Sequence, residues 1–309
     1  MYRIASIDSG ASKTDIIIYS DDGYLYLTRL NISLNIHNIP KPEIEGHLEE
    51  IIRILRRQKV EKVVWGLAGL DTEKDYRTWE ILLSSYSDFS HHILHDVEMA
   101  LYAVDPSGRG LLVVAGTGSN VYGFDGENKV KCGDWGALYG DDFSGYRLGR
   151  EFLNLILRIY DGRLDDKYLM RDFIDYLGIK REEIPNWIYE SSISQVASLS
   201  KYICSKVEYG YVRNIMDKIL MEMEIALKSV ILKLSLDTPI HYTGGLFKCS
   251  YIMEGLKNIC KRNRWTLGTY IEYPVIGGIS YLLSIEGLRE DALRNKINTI
   301  YTEVRRRIT

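Results

Sequence analysis

The sequence predicts an α/β fold with two mixed sheets that carry helices on their faces. Three observations lead to this prediction. Short β-rich segments alternate with helical ones along the first third of the chain. A second strand meander begins near residue 110, and a long helical region follows it. Each meander has a loop rich in Gly, Ser and Thr between its first two strands, so the second meander is a structural echo of the first.

Turn signals and apolar spacing predict the order of the first elements. Strands are predicted over residues 2–7, 15–19, 24–30, 62–67 and 92–95. Helical spacing of apolar residues follows the breaks at Pro40 and Pro42, recurs around Trp79, and returns after Asp96. The resulting order, β-β-β-α-β-α-β, predicts a mixed sheet flanked by helices.

The second part of the chain repeats the meander and then becomes mostly helical. Strands are predicted over residues 110–115, 121–124, 129–131 and 239–242, and near residues 270–272. Helices dominate residues 148–234, and the longest covers about residues 212–234. A charged amphipathic helix over about residues 289–307 closes the chain.

Size and composition exclude several classes of protein. The chain has 309 residues, which allows about two domains. Hydrophobic residues make up 46% and charged residues 26%, so a folded core is expected. The net charge of −3 disfavours nucleic acid as a partner. The sequence has no run of about 18 apolar residues and no secretory signal, so we expect a cytoplasmic protein without a membrane partner.

The four cysteines lie far apart in the sequence. They are Cys132, Cys204, Cys249 and Cys260, and no pair has CxxC spacing. A structural zinc site needs clustered Cys or His ligands, so none is predicted. We expect all four to be reduced thiols.

The Gly-rich loops of the two meanders suggest phosphate binding. They cover residues 8–14 (DSGASKT) and 115–120 (AGTGSN). Backbone N–H groups in such a turn converge on an anion, and Lys13 and Thr14 add a charge and a hydroxyl group. An ordinary hairpin turn remains an alternative for the first loop. The spacing fits neither a P-loop nor a dinucleotide fingerprint.

Two aspartates stand at predicted strand ends. Asp96 is in the position where a sheet-based active site places a general base, although Asp also caps helices. Asp8 precedes the first phosphate loop, where it suits Mg²⁺ held through water. A third cluster, residues 133–145, combines four glycines with three acids and suits a small polar ligand.

Together these segments resemble the BadF/BadG/BcrA/BcrD ATPase family. This family belongs to the actin and sugar-kinase superfold and contains N-acetylglucosamine kinases. Residues 8–14 and 115–120 are similar to the family's two phosphate motifs. Residues 133–141 are similar to its sugar loop, residues 243–245 to its adenosine motif, and residues 274–278 to its closing segment.

The resemblance implies an α/β fold of two actin-like (ribonuclease H-like) lobes. Each lobe would be a mixed five-stranded sheet flanked by helices, with an interlobe cleft. We expect an N-terminal lobe over residues 1–105, joined by the C-terminal helix 288–309. The C-terminal lobe would cover residues 106–287 and hold the sugar loop and the adenosine motif. We also expect a homodimer.

The resemblance also implies roles for individual residues. Asp96 would be the catalytic base that takes the proton of the acceptor hydroxyl, and Asp8 would hold Mg²⁺ through water. ATP would be bound by Gly10, Ser12, Lys13, Thr14, Gly116, Thr117, Gly118, Gly244 and Gly245. The substrate would be bound by Asn35, Thr117, Trp135, Gly136, Asp141 and Arg147.

These assignments predict a kinase that uses ATP and Mg²⁺ to phosphorylate a sugar or sugar acid. Arg147 replaces an aromatic residue of the family, and a guanidinium suits a carboxylate. We therefore favour 2-keto-3-deoxygluconate, with N-acetylglucosamine or a hexose as alternatives. Arg147 could instead form a surface ion pair with Asp141 or Asp142. The family's dehydratase activators bind an iron–sulfur cluster through cysteines, but no Gly-rich cluster motif surrounds the cysteines here.

Overall fold

The computed structural model describes residues 3–234 and 237–308. The chain divides into two compact units by its internal contacts. Unit 1 consists of Met1–Gly110, Phe124–Asn128 and Ile271–Thr309, and unit 2 of Leu111–Gly123 and Lys129–Tyr270. The described residues do not include Tyr2, where the first predicted strand starts. They also do not include Thr309, the last residue of the C-terminal helix predicted over residues 288–309.

Within the described residues, ten strands form two five-stranded sheets. The sheet of unit 1 has the order β3-β2-β1-β4-β5, and the sheet of unit 2 has the order β10-β9-β6-β7-β8. The strands are β1 Arg3–Ser9, β2 Thr14–Tyr19, β3 Leu25–Leu30, β4 Val60–Leu67, β5 Ser90–His95, β6 Gly110–Ala115, β7 Ser119–Phe124, β8 Lys129–Gly133, β9 Ile240–Thr243 and β10 Leu267–Tyr270.

The same described residues contain thirteen α-helices and two short 3₁₀ helices, Arg181–Glu183 and Gly245–Lys248. The α-helices are α1 Lys41–Arg57, α2 Glu73–Ser84, α3 Asp96–Tyr102, α4 Gly136–Tyr139, α5 Gly145–Tyr160, α6 Lys167–Leu177, α7 Ile184–Glu190, α8 Ile193–Ser198, α9 Ser200–Cys204, α10 Gly210–Leu234, α11 Ser250–Asn263, α12 Ile276–Ile285 and α13 Glu290–Ile308. Of these helices, none is long and apolar enough to cross a membrane.

The sheet of unit 1 is mixed, as the sequence predicts. Strand β1 pairs antiparallel with β2 and parallel with β4, and β4 pairs parallel with β5. The strands β1, β4 and β5 therefore all end at one edge of the sheet, which we call the carboxyl edge. In open α/β sheets this edge is where ligands bind.

Two hydrophobic clusters cover the two faces of this sheet. Alternate residues of β2 point to opposite faces, so Ile16 and Ile18 join one cluster and Ile17 joins the other. The first cluster includes the buried face of α1, whose apolar residues follow the spacing seen in the sequence. The second includes α12 and α13. Both faces are thus closed by helices of unit 1.

The sheet of unit 2 is also mixed. Strands β6, β9 and β10 run parallel, whereas a three-residue loop joins the neighbouring strands β6 and β7, which must therefore be antiparallel. Its core is a cluster built largely from α5, α10 and α11, with Phe152, Met223 and Leu256 fully buried. The prediction of two mixed five-stranded sheets flanked by helices is confirmed.

Several boundaries differ from the sequence prediction, and two of them lie in the last part of the chain. The last strand is Leu267–Tyr270 and not residues 270–272, because its partner β9 pairs with Leu267 and Tyr270. The segment Ile271–Thr309 clusters with unit 1, whereas residues 106–287 were expected in the C-terminal lobe. The reason is the packing of α12, in which Gly277 lies against the Met99 carbonyl of α3 and Gly278 lies against Ser6 of β1.

The prediction of four reduced thiols is wrong for one pair. Cys204 and Cys249 form a disulfide, with their Cα atoms 5.7 Å apart and a separation of 45 positions in the sequence. The end of α9 and the segment before α11 meet in unit 2, which the sequence spacing did not indicate. Cys132 and Cys260 are free thiols, as predicted.

Candidate active site

The carboxyl edge of the unit 1 sheet brings Asp8 and Asp96 together. Asp8 pairs with Gly66 near the end of β4, and Leu67 pairs with His95 at the end of β5. Asp96 follows His95 and begins α3. The two carboxyl groups lie close enough for the charge of Asp96 to raise the pKa of Asp8. The sequence analysis placed each carboxylate at a strand end, and the structure brings the two together.

The first Gly-rich loop is a tight turn between β1 and β2. The Gly10 N–H donates to the Lys13 carbonyl at 3.0 Å, and Ser12 and Lys13 are exposed. A side chain at Gly10 would approach only the Lys13 carbonyl, at 3.9 Å. The loop therefore presents backbone and a lysine on an open surface, an arrangement that suits an anion.

Thr14 has a supporting place beneath this loop. It is fully buried, its Oγ1 lies 2.8 Å from Ser9 Oγ, and it donates to the Ile32 carbonyl at 2.9 Å. The Leu34 N–H in turn donates to Ser9 Oγ at 3.0 Å. These bonds attach the loop to the following segment, so the hydroxyl of Thr14 acts as a brace and not as a surface group.

The charges around Asp8 fit a bound cation. Burial raises the pKa of Asp8 to about 8, and the negative charges of Asp96 and Asp15 add to the effect. Lys13 and Arg29 oppose it; both contact Asp15, with Lys13 Nζ at 3.3 Å and Arg29 Nη2 at 2.9 Å. A divalent cation near Asp8 would relieve this repulsion, so the residues present fit Mg²⁺.

Asp96 is held through one of its two oxygens. Its Oδ1 accepts a hydrogen bond from the Val97 N–H at 2.8 Å and lies 2.6 Å from His95 Nδ1. The carboxyl group is 27% exposed, so it is accessible although its orientation is constrained. Asp96 is the first residue of α3, and the N-cap of this helix is His95, so the alternative that Asp96 caps the helix is wrong.

Asn35 lies beside the loop that follows β4. Its Oδ1 accepts a hydrogen bond from the His37 N–H at 2.9 Å. Gly69 has a φ of +80°, and a Cβ there would stand 2.6 Å from Asn35 Oδ1. Glycine is thus needed for the close approach of this loop to the Asn35 amide.

The sequence analysis missed a cluster of acids and histidines in unit 1. His37 Nε2 lies 3.4 Å from Asp75 and 4.0 Å from Asp71. His95 Nε2 lies 3.8 Å from Asp71, while the opposite ring nitrogen faces Asp96. The only signal in the sequence was that His95 immediately precedes Asp96.

In unit 2 the second Gly-rich loop is fixed by neighbouring segments. The Gly116 carbonyl accepts from the Gly145 N–H at 2.8 Å, and the Thr117 carbonyl accepts from the Tyr146 N–H at 3.4 Å. The start of α5 therefore holds this loop. A side chain at Gly118 would meet Asp141 Oδ2 at 3.1 Å, which brings the loop beside the predicted sugar loop.

Residues 243–245, the predicted adenosine motif, lie against the second Gly-rich loop. Gly244 has a φ of +112°, and a Cβ there would lie 2.3 Å from the Ala115 carbonyl. Only glycine fits this contact. A cavity of about 180 Å³ beside the motif is lined by Gly245, Leu246 and the disulfide pair Cys204 and Cys249, among others. The second Gly-rich loop, Asp141 and residues 243–245 thus form one group of segments.

Asp141 is buried and strained in a way that suits a binding residue. It is 6% exposed, has a φ of +56°, and accepts the Ser119 N–H at 3.1 Å. Burial raises its pKa to about 6, and the charges of Asp134 and Asp142 contribute. Non-glycine residues in this conformation concentrate at functional sites.

The remaining predicted substrate residues lie at the surface of unit 2. Trp135 is 77% exposed, and Gly136, with a φ of +80°, begins the one-turn helix α4 within the predicted loop. Arg147 pairs with Asp142 at 3.7 Å and with Glu151 at 3.2 Å. Arg147 therefore forms the ion pair with Asp142 that the sequence analysis named as the alternative to substrate binding.

Comparisons with known proteins show the family to which the chain belongs and the proteins that it resembles. A sequence profile described as the BadF/BadG/BcrA/BcrD ATPase family matches residues 6–279. The chain is 28% identical to an N-acetylmuramic acid/N-acetylglucosamine kinase of Clostridium acetobutylicum, with 76% of this chain and 81% of the relative covered. It is also 28% identical to an N-acetyl-D-glucosamine kinase of Dictyostelium discoideum, with 81% of this chain and 87% of the relative covered.

A solved structure shares the fold. It is that of a candidate N-acetylglucosamine kinase from Porphyromonas gingivalis, with a TM-score of 0.72 and 22% sequence identity. The match covers 93% of this chain and 100% of that one. At this identity the likeness supports the architecture of the two sheets.

Proposed function

This chain belongs to the BadF/BadG/BcrA/BcrD ATPase family, and we propose that it phosphorylates a hydroxyl group of an N-acetylated amino sugar. The chain is an ATP-dependent carbohydrate kinase, as the family and the two curated kinases indicate. Both relatives are named as kinases of N-acetylated amino sugars. N-acetylglucosamine is therefore the first acceptor to test.

The 2-keto-3-deoxygluconate acceptor favoured in the sequence analysis is not supported. That preference depended on Arg147 as a partner for a substrate carboxylate. The guanidinium already lies near two carboxylates, Asp142 and Glu151. Its charge is therefore compensated within unit 2, and the curated relatives support the alternative acceptor.

One observation carries the proposal for the chemistry. Asp8 and Asp96 stand at one edge of the unit 1 sheet, and the loop with Gly10 and Lys13 follows Asp8 directly. Phosphoryl transfer needs positioning and charge stabilisation, which a phosphate loop, a cation and a base supply. We assign Asp96 to accept the proton of the acceptor hydroxyl, and Lys13 with the loop backbone to bind phosphate.

The remaining proposed roles concern Mg²⁺, the nucleotide and the sugar. Asp8 would hold Mg²⁺, which would supply positive charge to the phosphates of ATP. In unit 2, the loop of Gly116, Thr117 and Gly118 would bind phosphate, and Gly244 with Gly245 would contact the adenosine. The sugar would be bound by Asn35, Thr117, Trp135, Gly136 and Asp141. Dependence on Mg²⁺, a homodimer and a cytoplasmic location stay predictions.

One observation counts against the dehydratase-activator alternative. That alternative needs cysteines that can bind an iron–sulfur cluster. Cys204 is bonded to Cys249 and is not free for this role.

A substrate panel tests the proposed acceptor. ADP release would be measured with ATP and Mg²⁺ plus N-acetylglucosamine, N-acetylmuramic acid, glucose or 2-keto-3-deoxygluconate. We expect kcat/KM for an N-acetylated sugar to exceed the other values at least about 10-fold, because buried hydrogen bonds to the acetamido group reject analogues that lack it. A higher kcat/KM for glucose or 2-keto-3-deoxygluconate would contradict the acceptor, and no sugar-dependent ADP release would contradict the reaction.

A further inference from the structure

We propose that His95 is a positioning residue that orients the Asp96 carboxylate, with Asp71 placed behind its ring. The inference rests on the proposed function, in which Asp96 is the base. It adds two residues that no motif of the sequence singled out. The three side chains all lie in unit 1.

The Asp96 carboxylate lies very close to the His95 ring. His95 Nδ1 is 2.6 Å from Asp96 Oδ1. A carboxylate only accepts hydrogen bonds, so this contact is favourable when Nδ1 carries a proton. The Val97 N–H donates to Asp96 Oδ1 at 2.8 Å and reaches Nδ1 at 3.4 Å, where His95 acts as the N-cap of α3; with a proton on Nδ1, only the bond to Oδ1 remains.

The imidazole ring is itself held in place. His95 is 6% exposed, and its backbone N–H donates to Glu98 Oε2 at 3.4 Å. Nε2, the far nitrogen of the ring, faces Asp71 Oδ1 at 3.8 Å. A buried ring with a carboxylate on each side cannot rotate without losing a contact. Asp71 therefore favours the ring orientation that directs Nδ1 at Asp96.

The consequence for Asp96 is a fixed carboxylate plane. The Val97 amide donates a hydrogen bond to Oδ1, and the His95 ring lies 2.6 Å from the same oxygen. Together they fix the side-chain torsions of Asp96, and so the direction in which Oδ2 points. A base that is misplaced by about 1 Å can lose about 100-fold in rate, so this restraint matters for turnover more than for binding.

Two nearly isosteric substitutions test the role. His95→Asn keeps an N–H donor and a helix-capping side chain, whereas His95→Leu has neither. With ATP and N-acetylglucosamine, we expect His95→Leu to lower kcat about 10- to 100-fold and to change both KM values less than about 3-fold. His95→Asn should recover at least about 10-fold of that kcat. Equal kcat values for wild type and His95→Leu would overturn the proposal.

A double-mutant cycle separates positioning from a structural role. In the Asp96→Asn background, His95→Leu should lower kcat no further, because its effect runs through the missing carboxylate. Additive losses would mean that His95 acts on the structure generally and would refute the proposal. If His95→Leu does not fold, Asp71→Asn takes its place in the same cycle with the same criterion. A wild-type protein without sugar-dependent ADP release would reject the proposed function instead.

Discussion

Asp96 is the residue on which the chemical proposal depends most directly. Its Oδ1 is bound by the Val97 amide, and the side chain is accessible. The Asp96→Asn variant keeps size and hydrogen bonding but cannot take a proton. We expect kcat to fall at least about 100-fold while the dissociation constant of ATP changes little. Steady-state ADP release and nucleotide titration would measure the two effects, and full turnover of the variant would contradict the assignment.

Individual residues show where sequence reasoning succeeds and where it stops. Asp8 and Asp96 were singled out because each stands at the end of a predicted strand, and the structure places the two carboxyl groups close together. Thr14 was expected to be an ATP ligand, but its side chain is buried under the loop. The placement of His95 against Asp71 was not readable, because those residues meet only through the packing of β5 beside the loop after β4.

At the level of elements, the contact between α12 and α3 depends on a small residue. A Cβ at Gly277 would stand 1.7 Å from the Met99 carbonyl, so Gly277→Ala must displace one helix. We expect the free energy of unfolding to fall by about 1–3 kcal/mol. Urea denaturation would measure this change.

The control is a glycine in another helix of unit 1. Gly46 of α1 has no atom within 4 Å of a built Cβ. Gly46→Ala should therefore stabilise the protein by up to about 1 kcal/mol, because alanine favours the helix. A Gly277→Ala variant that is as stable as Gly46→Ala would contradict the close packing of α12.

The disulfide joins two helical elements of unit 2. It links the end of α9 to the residue before α11. Because it closes a loop of 45 residues, its loss should lower the free energy of unfolding by about 2–4 kcal/mol. Denaturation of Cys249→Ser, with and without reductant, would measure this. Reductant should lower the free energy of unfolding of the wild type and of the control Cys132→Ser by the same amount, and should leave that of Cys249→Ser unchanged. A wild type whose stability does not respond to reductant would contradict the disulfide.

For the whole molecule, two carboxyl groups set a dependence of stability on pH. The pKa of Asp8 is raised to about 8 and that of Asp141 to about 6, mainly by burial. The folded state therefore holds these protons more tightly than the unfolded chain, whose Asp residues titrate near about 4. The free energy of unfolding should fall as the pH rises from about 4 through these two values.

Urea unfolding between about pH 4.5 and 8.5, without nucleotide or Mg²⁺, would show this slope. Asp8→Asn should flatten the curve up to about pH 8, and Asp141→Asn should flatten it up to about pH 6. The exposed Asp125 has its pKa lowered by hydrogen bonds from Asn128 and Glu127, so Asp125→Asn should leave the slope in this range unchanged. A wild type whose stability rises over the range would refute the prediction.

From local sequence patterns one can predict the class of fold, the order of nearly all strands, the two Gly-rich loops and the family. These depend on local signals, such as the period of apolar residues, turn residues and short motifs. Three features could be seen only in the folded chain: Ile271–Thr309 joins unit 1, Cys204 meets Cys249, and His95 lies between Asp71 and Asp96. Such contacts arise from the packing of segments distant in sequence, and no local pattern encodes which of them will touch.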